Sequence, residues 1–402
     1  MRDRPRVSGS IYNLLGGVDS PRMKYLTFDQ QLRLTRRAAH NRLRQVIRLR
    51  RKRLKFLRRA ADLDLAMRAQ AAFVAKHQVA MPSRPDRIPL MVPEVFSLRD
   101  NHEETVGIVR RMRDTVLSEN RPVQLYFDQL RKLEPAAALL LVAEIFRCRQ
   151  LRPFRAGHSV TGNYPQEKEI FFQLREMGFF RALSVDSYEK QIPDERPRGE
   201  RPHFIGFQTM SSVHPELAAT FCDVVTSGAF EMTPLSRGKM IASLKEAMLN
   251  AHEHAYRLQG DYDVMRRRWW LAGHVNPVHR EMMVMILDQG VGIPRTLEPT
   301  AFEQVKALLK MSWTVSDGTM IAAATQIRRT STGQGGRGRG FEDMKRFIDS
   351  CDDGELRVCS NRGQFIYTKT KQEMADYPAS IGGTLIEWRV RHQGSAVEIN
   401  DE

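Results

Sequence analysis

A glutamate and an asparagine one helical turn apart, Glu246 and Asn250 in the run SLKEAMLNAHEHAY from Ser243 to Tyr256, are types that activate a nucleophile and hold a metal-bound phosphate. At 100° per residue they share a stripe with Glu253 and Arg257, while Ile241, Leu244, Met248, Ala251 and Ala255 line the opposite side. An ordinary charged solvent face would carry the same pattern. Three further stretches bear on that choice. The apolar run Met282 to Leu287 ends at Asp288, followed by Gly290 and Gly292. Such a carboxylate can accept a hydrogen bond from an exocyclic amine, and the glycines let a ligand approach the backbone closely; a tight turn after a core strand is the plain alternative. The glycine-rich run Gly333 to Gly340 contains Gly336, Gly338 and Gly340 interleaved with Arg337 and Arg339. Backbone amides of such a loop, ahead of a helix starting near Phe341, cradle an anion. Lys345 lies on that helix. Thr384 opens a late strand in SIGGTLIEWRV, and its hydroxyl is of a type to support Asp288.

The elements that must position these residues follow from periodicity. RRRWWLAGHV, NPVH and REMMVMILD predict a hairpin whose second strand delivers Asp288. The glycine run also matches GxGxxG as Gly333, Gly335 and Gly338, but TMIAAATQIRRTST before it is helical and then polar, which excludes a dinucleotide fold; no GxxxxGK[ST] loop occurs either. His252, His254, His274 and His279 lie in the same region, and HxH on a helix puts the two rings on different faces rather than on one metal.

Upstream, strand and helix alternate: a strand over Leu90–Leu98, a helix over His102–Leu117, a strand over Val123–Leu130, a helix over Ala136–Arg149, the extended stretch HSVTGNYP, and a helix over Glu167–Leu183. The proline-rich, charged KQIPDERPRGERPH marks a boundary after them. Expected boundaries are therefore a disordered arm over 1–29, a basic helical segment over 30–80, a first α/β domain over 88–190, a linker over 191–203, a second domain over 204–392 and a tail over 393–402. The basic segment has LRQVIRLRRKRLKFLRR at its heart and a narrow stripe of Leu43, Ile47, Leu54 and Leu57. Residues 33–59 suit contact with a nucleic-acid backbone, or a solvated helix docked on a neighbour.

The chain has 402 residues, 42% of them apolar, and a formal net charge of +16, which calls for an acidic partner without naming it. Four cysteines without a CxxC pair suggest neither a zinc module nor a disulfide framework, so a reducing, cytoplasmic compartment is expected. The most apolar run, Ala136 to Phe146, is short and interrupted by Glu144, so no membrane span is expected.

In order, ExxxN on a helix, DxGxG after a strand, a glycine-rich lid and GGT opening a strand make residues 205 to 392 resemble the GHKL (Bergerat-fold) ATPases. EAMLNAHEHAY and GRGRGFEDMKRF are most similar to the anti-sigma-factor serine-kinase branch. The resemblance implies an α/β sandwich with a mixed sheet that binds ATP and Mg2+. It implies Glu246 as general base and Asn250 as the magnesium ligand. Asp288 would bind the adenine amine with support from Thr384, beside Gly290 and Gly292, with Gly336, Gly338 and Gly340 in the lid and Arg337, Arg339 and Lys345 as phosphate contacts. QLYFDQLRKLEPAAALLLVAEIF, HSVTGNYP and REMGFFRAL resemble a STAS domain. In that family the turn before the helix usually carries a phosphorylatable Ser or Thr; here it reads Glu134, Pro135, Ala136, Ala137, which implies binding or scaffolding instead. The expected function is an α/β (α+β) regulatory protein that hydrolyses ATP or phosphorylates a protein Ser or Thr to control a protein partner or its own STAS-like module. The alternatives are a nucleic-acid-associated, clamp-like homodimer gated by ATP, and a pseudo-enzyme that binds nucleotide without turnover, against which Glu246 stands.

Overall fold

The computed structural model describes residues 87–152, 158–182, 203–226, 230, 232–256, 267–297, 315–326 and 340–392. The arm and basic segment, most of the linker, the tail, Arg257, Gly336, Arg337, Gly338 and Arg339 lie outside the described residues. Every described residue belongs to one compact unit.

Its first part is a parallel sheet of β1 (Ile88–Met91), β3 (Val123–Tyr126) and β5 (Val160–Gly162), in the order β1-β3-β5. Parallel pairing requires crossovers, which α1 (His102–Leu117) and α2 (Pro135–Leu151) provide. A second parallel pair joins β2 (Val95–Phe96) to β4 (Lys132–Leu133). The single strand expected over Leu90–Leu98 is thus two short ones, because Pro93 between them has no N–H to give a ladder. The helix expected over Glu167–Leu183 is likewise split into α3 (Lys168–Glu176) and α4 (Phe179–Ala182) by Gly178, whose φ of +77° breaks the helical path.

The second part is a seven-stranded sheet with β6 (His203–Met210), β7 (Trp269–Asn276), β8 (Glu281–Asp288), β9 (Asp353–Ser360), β10 (Gly363–Tyr367), β11 (Gln372–Asp376) and β12 (Thr384–Arg391), in the order β11-β10-β9-β12-β8-β7-β6. The mixed sheet expected here is wrong: every pair in it is antiparallel. β8 and β9 do run in the same direction, but β12 inserts between them and pairs antiparallel with both. Over one face lie α5 (Pro215–Thr226), α6 (Pro234–Glu253), the short α7 (Ile293–Thr296), α8 (Asp317–Ala324) and α9 (Gly340–Asp349).

Alternate strand residues serve two cores. On β8, Met282, Val284 and Ile286 pack with Leu244, Met248 and Phe347 of the helical layer, whereas Met283, Met285 and Leu287 join the core of residues 88–182. Both faces being buried, the strand reads as an unbroken apolar run instead of alternating. α2 is apolar nearly all round for the same reason, with residues from Pro135 to Cys148 buried on every side apart from Phe146. The two parts of the described chain therefore share one core across the sheet.

Candidate functional site

α6 starts nine residues before the Ser243 start of the run read from the sequence. Pro234 suits the first helical position, and the Thr233 hydroxyl accepts from Ser236 N at 3.1 Å. The apolar side sinks Leu244, Met248 and Ala251 into the core and leaves Glu246 and Asn250 half-buried at its margin, with Glu253 exposed. The helix ends where His254 N and Ala255 N both donate to the Asn250 carbonyl. Val291 N then donates to the Ala255 carbonyl at 2.7 Å, which docks the end of α6 on the loop after β8. Gly290 is required there, since a Cβ would overlap that carbonyl oxygen.

Asp288, Thr384 and Ser360 stand side by side. Thr384 is in register with both of the others, and all three alternate with Leu287, Leu385 and Cys359, so their side chains face the helical layer. Thr384 hydrogen-bonds the Asp288 carboxylate through backbone and side chain, Gly290 N donates to Asp288 Oδ1 at 2.9 Å, and the Ser360 and Thr384 hydroxyls lie 3.0 Å apart. Burial pushes the Asp288 carboxyl up to about 7, against the pull of these donors and of Arg147. Two neighbours of the site had no signal strong enough to single them out. Ser360 Oγ accepts from Ile293 N at 2.9 Å, and Asn361, at φ 52°, donates to Val291 O at 3.0 Å. The latter sits in the turn sequence Asn361-Arg362-Gly363, which is a hairpin signal in hindsight. Gly292, at φ +83°, lies against the Asn361 carboxamide, and Tyr256 Oη accepts from Gln289 N at 3.0 Å.

Along α6, Gly340 at the start of α9 lies against Glu246, so closely that a Cβ would overlap the carboxylate. Burial, followed by the carboxylates of Asp343 and Glu253, raises the Glu246 carboxyl above its ordinary value. That direction suits a proton acceptor working near neutrality. Neither the Glu246 carboxylate nor the Asn250 carboxamide has a hydrogen-bond or ion-pair partner among the described residues. No cluster of three or more acidic, His or Cys side chains able to hold a metal occurs among them either. A magnesium ion here would take Asn250 and otherwise phosphate and water oxygens, a set magnesium accepts because it keeps most of its waters. The structure thus brings Asp288, Gly290, Gly292 and Thr384 together at one end of α6 and Glu246 and Gly340 together further back, with Asn250 one turn from Glu246 toward the first group. Lys345 is turned elsewhere: its ammonium donates to Thr325 Oγ1 at 2.8 Å and lies over the Phe365 and Tyr367 rings. Of the histidines, His274 is buried and stacked on Phe204, and burial lowers it to about 4.

At the turn ahead of α2, Glu134 is buried and accepts from Leu98 N at 2.5 Å, Ser97 Oγ at 3.0 Å and Arg357 Nη2 of β9 at 2.6 Å. The same guanidinium donates to Glu387 of β12 at 2.5 Å, and so does Arg99. An acidic side chain at this turn thus ties the first part of the chain to the sheet. All four cysteines are buried and none is bridged to another, and among the described residues no helix is long and apolar enough to cross a membrane.

No family model matches the chain, and no curated protein matches it in sequence.

Proposed function

We propose that the chain is an adenine-nucleotide-binding regulatory protein of GHKL type whose site lies between α6, α9 and the ends of β8, β9 and β12. The observation that carries this reading is the register of Asp288 with Thr384, beside Gly290 and Gly292, at the end of a helix that presents two polar groups, Glu246 and Asn250, without partners among the described residues. A buried carboxylate that accepts from Gly290 and Thr384 on one side suits an amine donor on the other. Asn250 would hold Mg2+, which would supply positive charge against the ATP phosphates, and Glu246 would take the proton from water or from a protein Ser or Thr hydroxyl. Hydrolysis or phosphorylation would then act on a partner or on the first, STAS-like part of the same chain, which shares the core of the sheet.

Calorimetric titration of the full chain with ATP and Mg2+ tests it. Binding that depends on Mg2+ is expected, and Asn250→Ala should weaken it by on the order of 100-fold while changing Mg2+-free ADP binding much less. Absence of nucleotide binding in the unsubstituted chain sinks the reading.

Charge partition favours a second activity alongside it. Residues 1–86 hold 21 of the 63 Lys and Arg but only 6 of the 47 Asp and Glu, so nearly all of the +16 lies there. That concentration supports a polyanion such as nucleic acid as partner of the N-terminal segment. Affinity of the full chain for nucleic acid should fall steeply with salt, and a chain starting at Met81 should lose it; equal affinities would remove the segment from the account.

A further inference from the structure

On the side of the sheet away from α6, α2 reaches the back of both loops that form the candidate site. Arg147 Nη2 donates to Gln289 O at 3.2 Å and to Gly382 O at 3.3 Å, so one nitrogen bridges the loop after Asp288 and the loop before Thr384. Gln289 Nε2 donates to Glu144 Oε2 at 3.1 Å, and Glu144 lies 3.7 Å from Arg147 Nε and 3.8 Å from Arg113 Nη1. Glu144 is fully buried and Arg147 is 7% exposed. Holding two layers together needs only apolar side chains, and burying an ion pair instead is costly. What the pair adds is direction: it grips two main-chain carbonyls whose neighbours, Asp288 and Thr384, project to the opposite face.

We propose that Arg147 and Glu144 are positioning residues for the nucleotide site, through which residues 88–182 set its affinity. This rests on the nucleotide reading above. Arg147 keeps the Asp288 and Thr384 loops at a fixed spacing and supplies positive charge behind Asp288, while Glu144 offsets part of that charge and orients Gln289. The Arg113 guanidinium lies against Gly382, and among the other titratable and charged groups packed near Asp288 are Tyr256, at the end of α6, and Arg268, whose carbonyl accepts from Tyr256 Oη. Neither touches the two carbonyls that Arg147 holds. An ionised Asp288 only accepts, whereas a protonated one can turn an O–H donor toward the amine, so charge changes at α2 are read out as the pH at which ADP binding tightens.

The experiment is titration of the full chain with Mg2+-free ADP between about pH 6 and 9. Unsubstituted protein should bind more tightly as pH rises through about 7, the value to which burial brings Asp288. Arg147→Met should move that midpoint upward and weaken binding at neutral pH by about fivefold, a shift of about one pH unit. Glu144→Gln, nearly isosteric and still able to accept from Gln289, should move it downward; Arg147→Lys should stay close to the parent. Opposite movements are not produced by loosened packing, which would weaken both variants alike. If Arg147→Met does not fold, the downward movement in Glu144→Gln decides alone. A midpoint unchanged by both substitutions, in protein that binds ADP, overturns the positioning role only. Failure of the parent to bind ADP at any pH overturns the nucleotide reading, and this inference with it.

Discussion

Asp288→Asn is expected to weaken adenine-nucleotide binding by on the order of 100-fold and, at pH 8, to raise the melting temperature of the unliganded protein. The carboxylate lies in register with Thr384, receives the Gly290 amide at 2.9 Å, and is pushed by burial to about 7. Asparagine keeps an acceptor for Gly290 but turns an N–H2 toward the ligand amine, so two donors face each other and binding falls by on the order of 100-fold. The stability effect has the opposite sign. A carboxyl whose folded value is raised makes the native state bind its proton more tightly than the unfolded chain does. Stability from this group is therefore full below about pH 4 and declines until about pH 7, where the ionised form costs roughly 2–4 kcal/mol. The uncharged variant escapes that cost, so the gain in thermal stability should be largest above pH 7 and vanish near pH 4. Calorimetric melts at the two pH values, with an ADP titration at pH 8, check both halves. A variant that still binds would remove Asp288 from the site; one with an unchanged melt at pH 8 would mean the carboxylate ionises there without penalty.

Arg357→Met is expected to destabilise the protein by about 3–5 kcal/mol, since removing one partner of a buried ion network strands the others. Arg357 is 1% exposed, and one of its nitrogens binds both Glu134 from the first part of the chain and Glu387 from β12. Burial pushes the Glu387 carboxyl up, but the guanidiniums of Arg357, Arg99 and Arg389 outweigh it and hold it near 2. A depressed carboxyl contributes stability that is present above the unfolded value of about 4 and lost as pH falls toward 2. In Arg357→Met, Glu387 takes up a proton more readily, so the gap between variant and parent should narrow as pH falls below about 4. Urea unfolding at pH 7 and at pH 3 measures that gap. Adding Glu387→Gln to Arg357→Met should recover part of the loss at pH 7, because the stranded charge is then gone. A cost below about 1 kcal/mol would place the network with exposed ion pairs that contribute little.

Residues that act through local pattern were legible in the chain. The bounds of α1, the hairpin that delivers Asp288 and the start of β12 at Thr384 all follow from periodicity, glycine and turn chemistry within a dozen residues. So did the wet stripe of α6, although of its described residues Glu246 and Asn250 are half-buried and Glu253 is exposed. Ser360 carried no such signal, because a serine ending a strand is unremarkable until Thr384 and Ile293 arrive beside it. Glu144 was visible only as a polar break in an apolar run; its meaning lies in Gln289, 145 residues away.

The sequence by itself determined elements such as α1 and β8, because backbone propensity and side-chain period are local. Only the tertiary structure decided that β12 separates β8 from β9 and makes the sheet antiparallel throughout. It alone decided that alternate residues of β8 serve two cores, and that Arg147 and Glu144 stand behind Asp288. Those choices are made by burying apolar faces and compensating charges between segments far apart in the chain, and no window of neighbouring residues contains both partners.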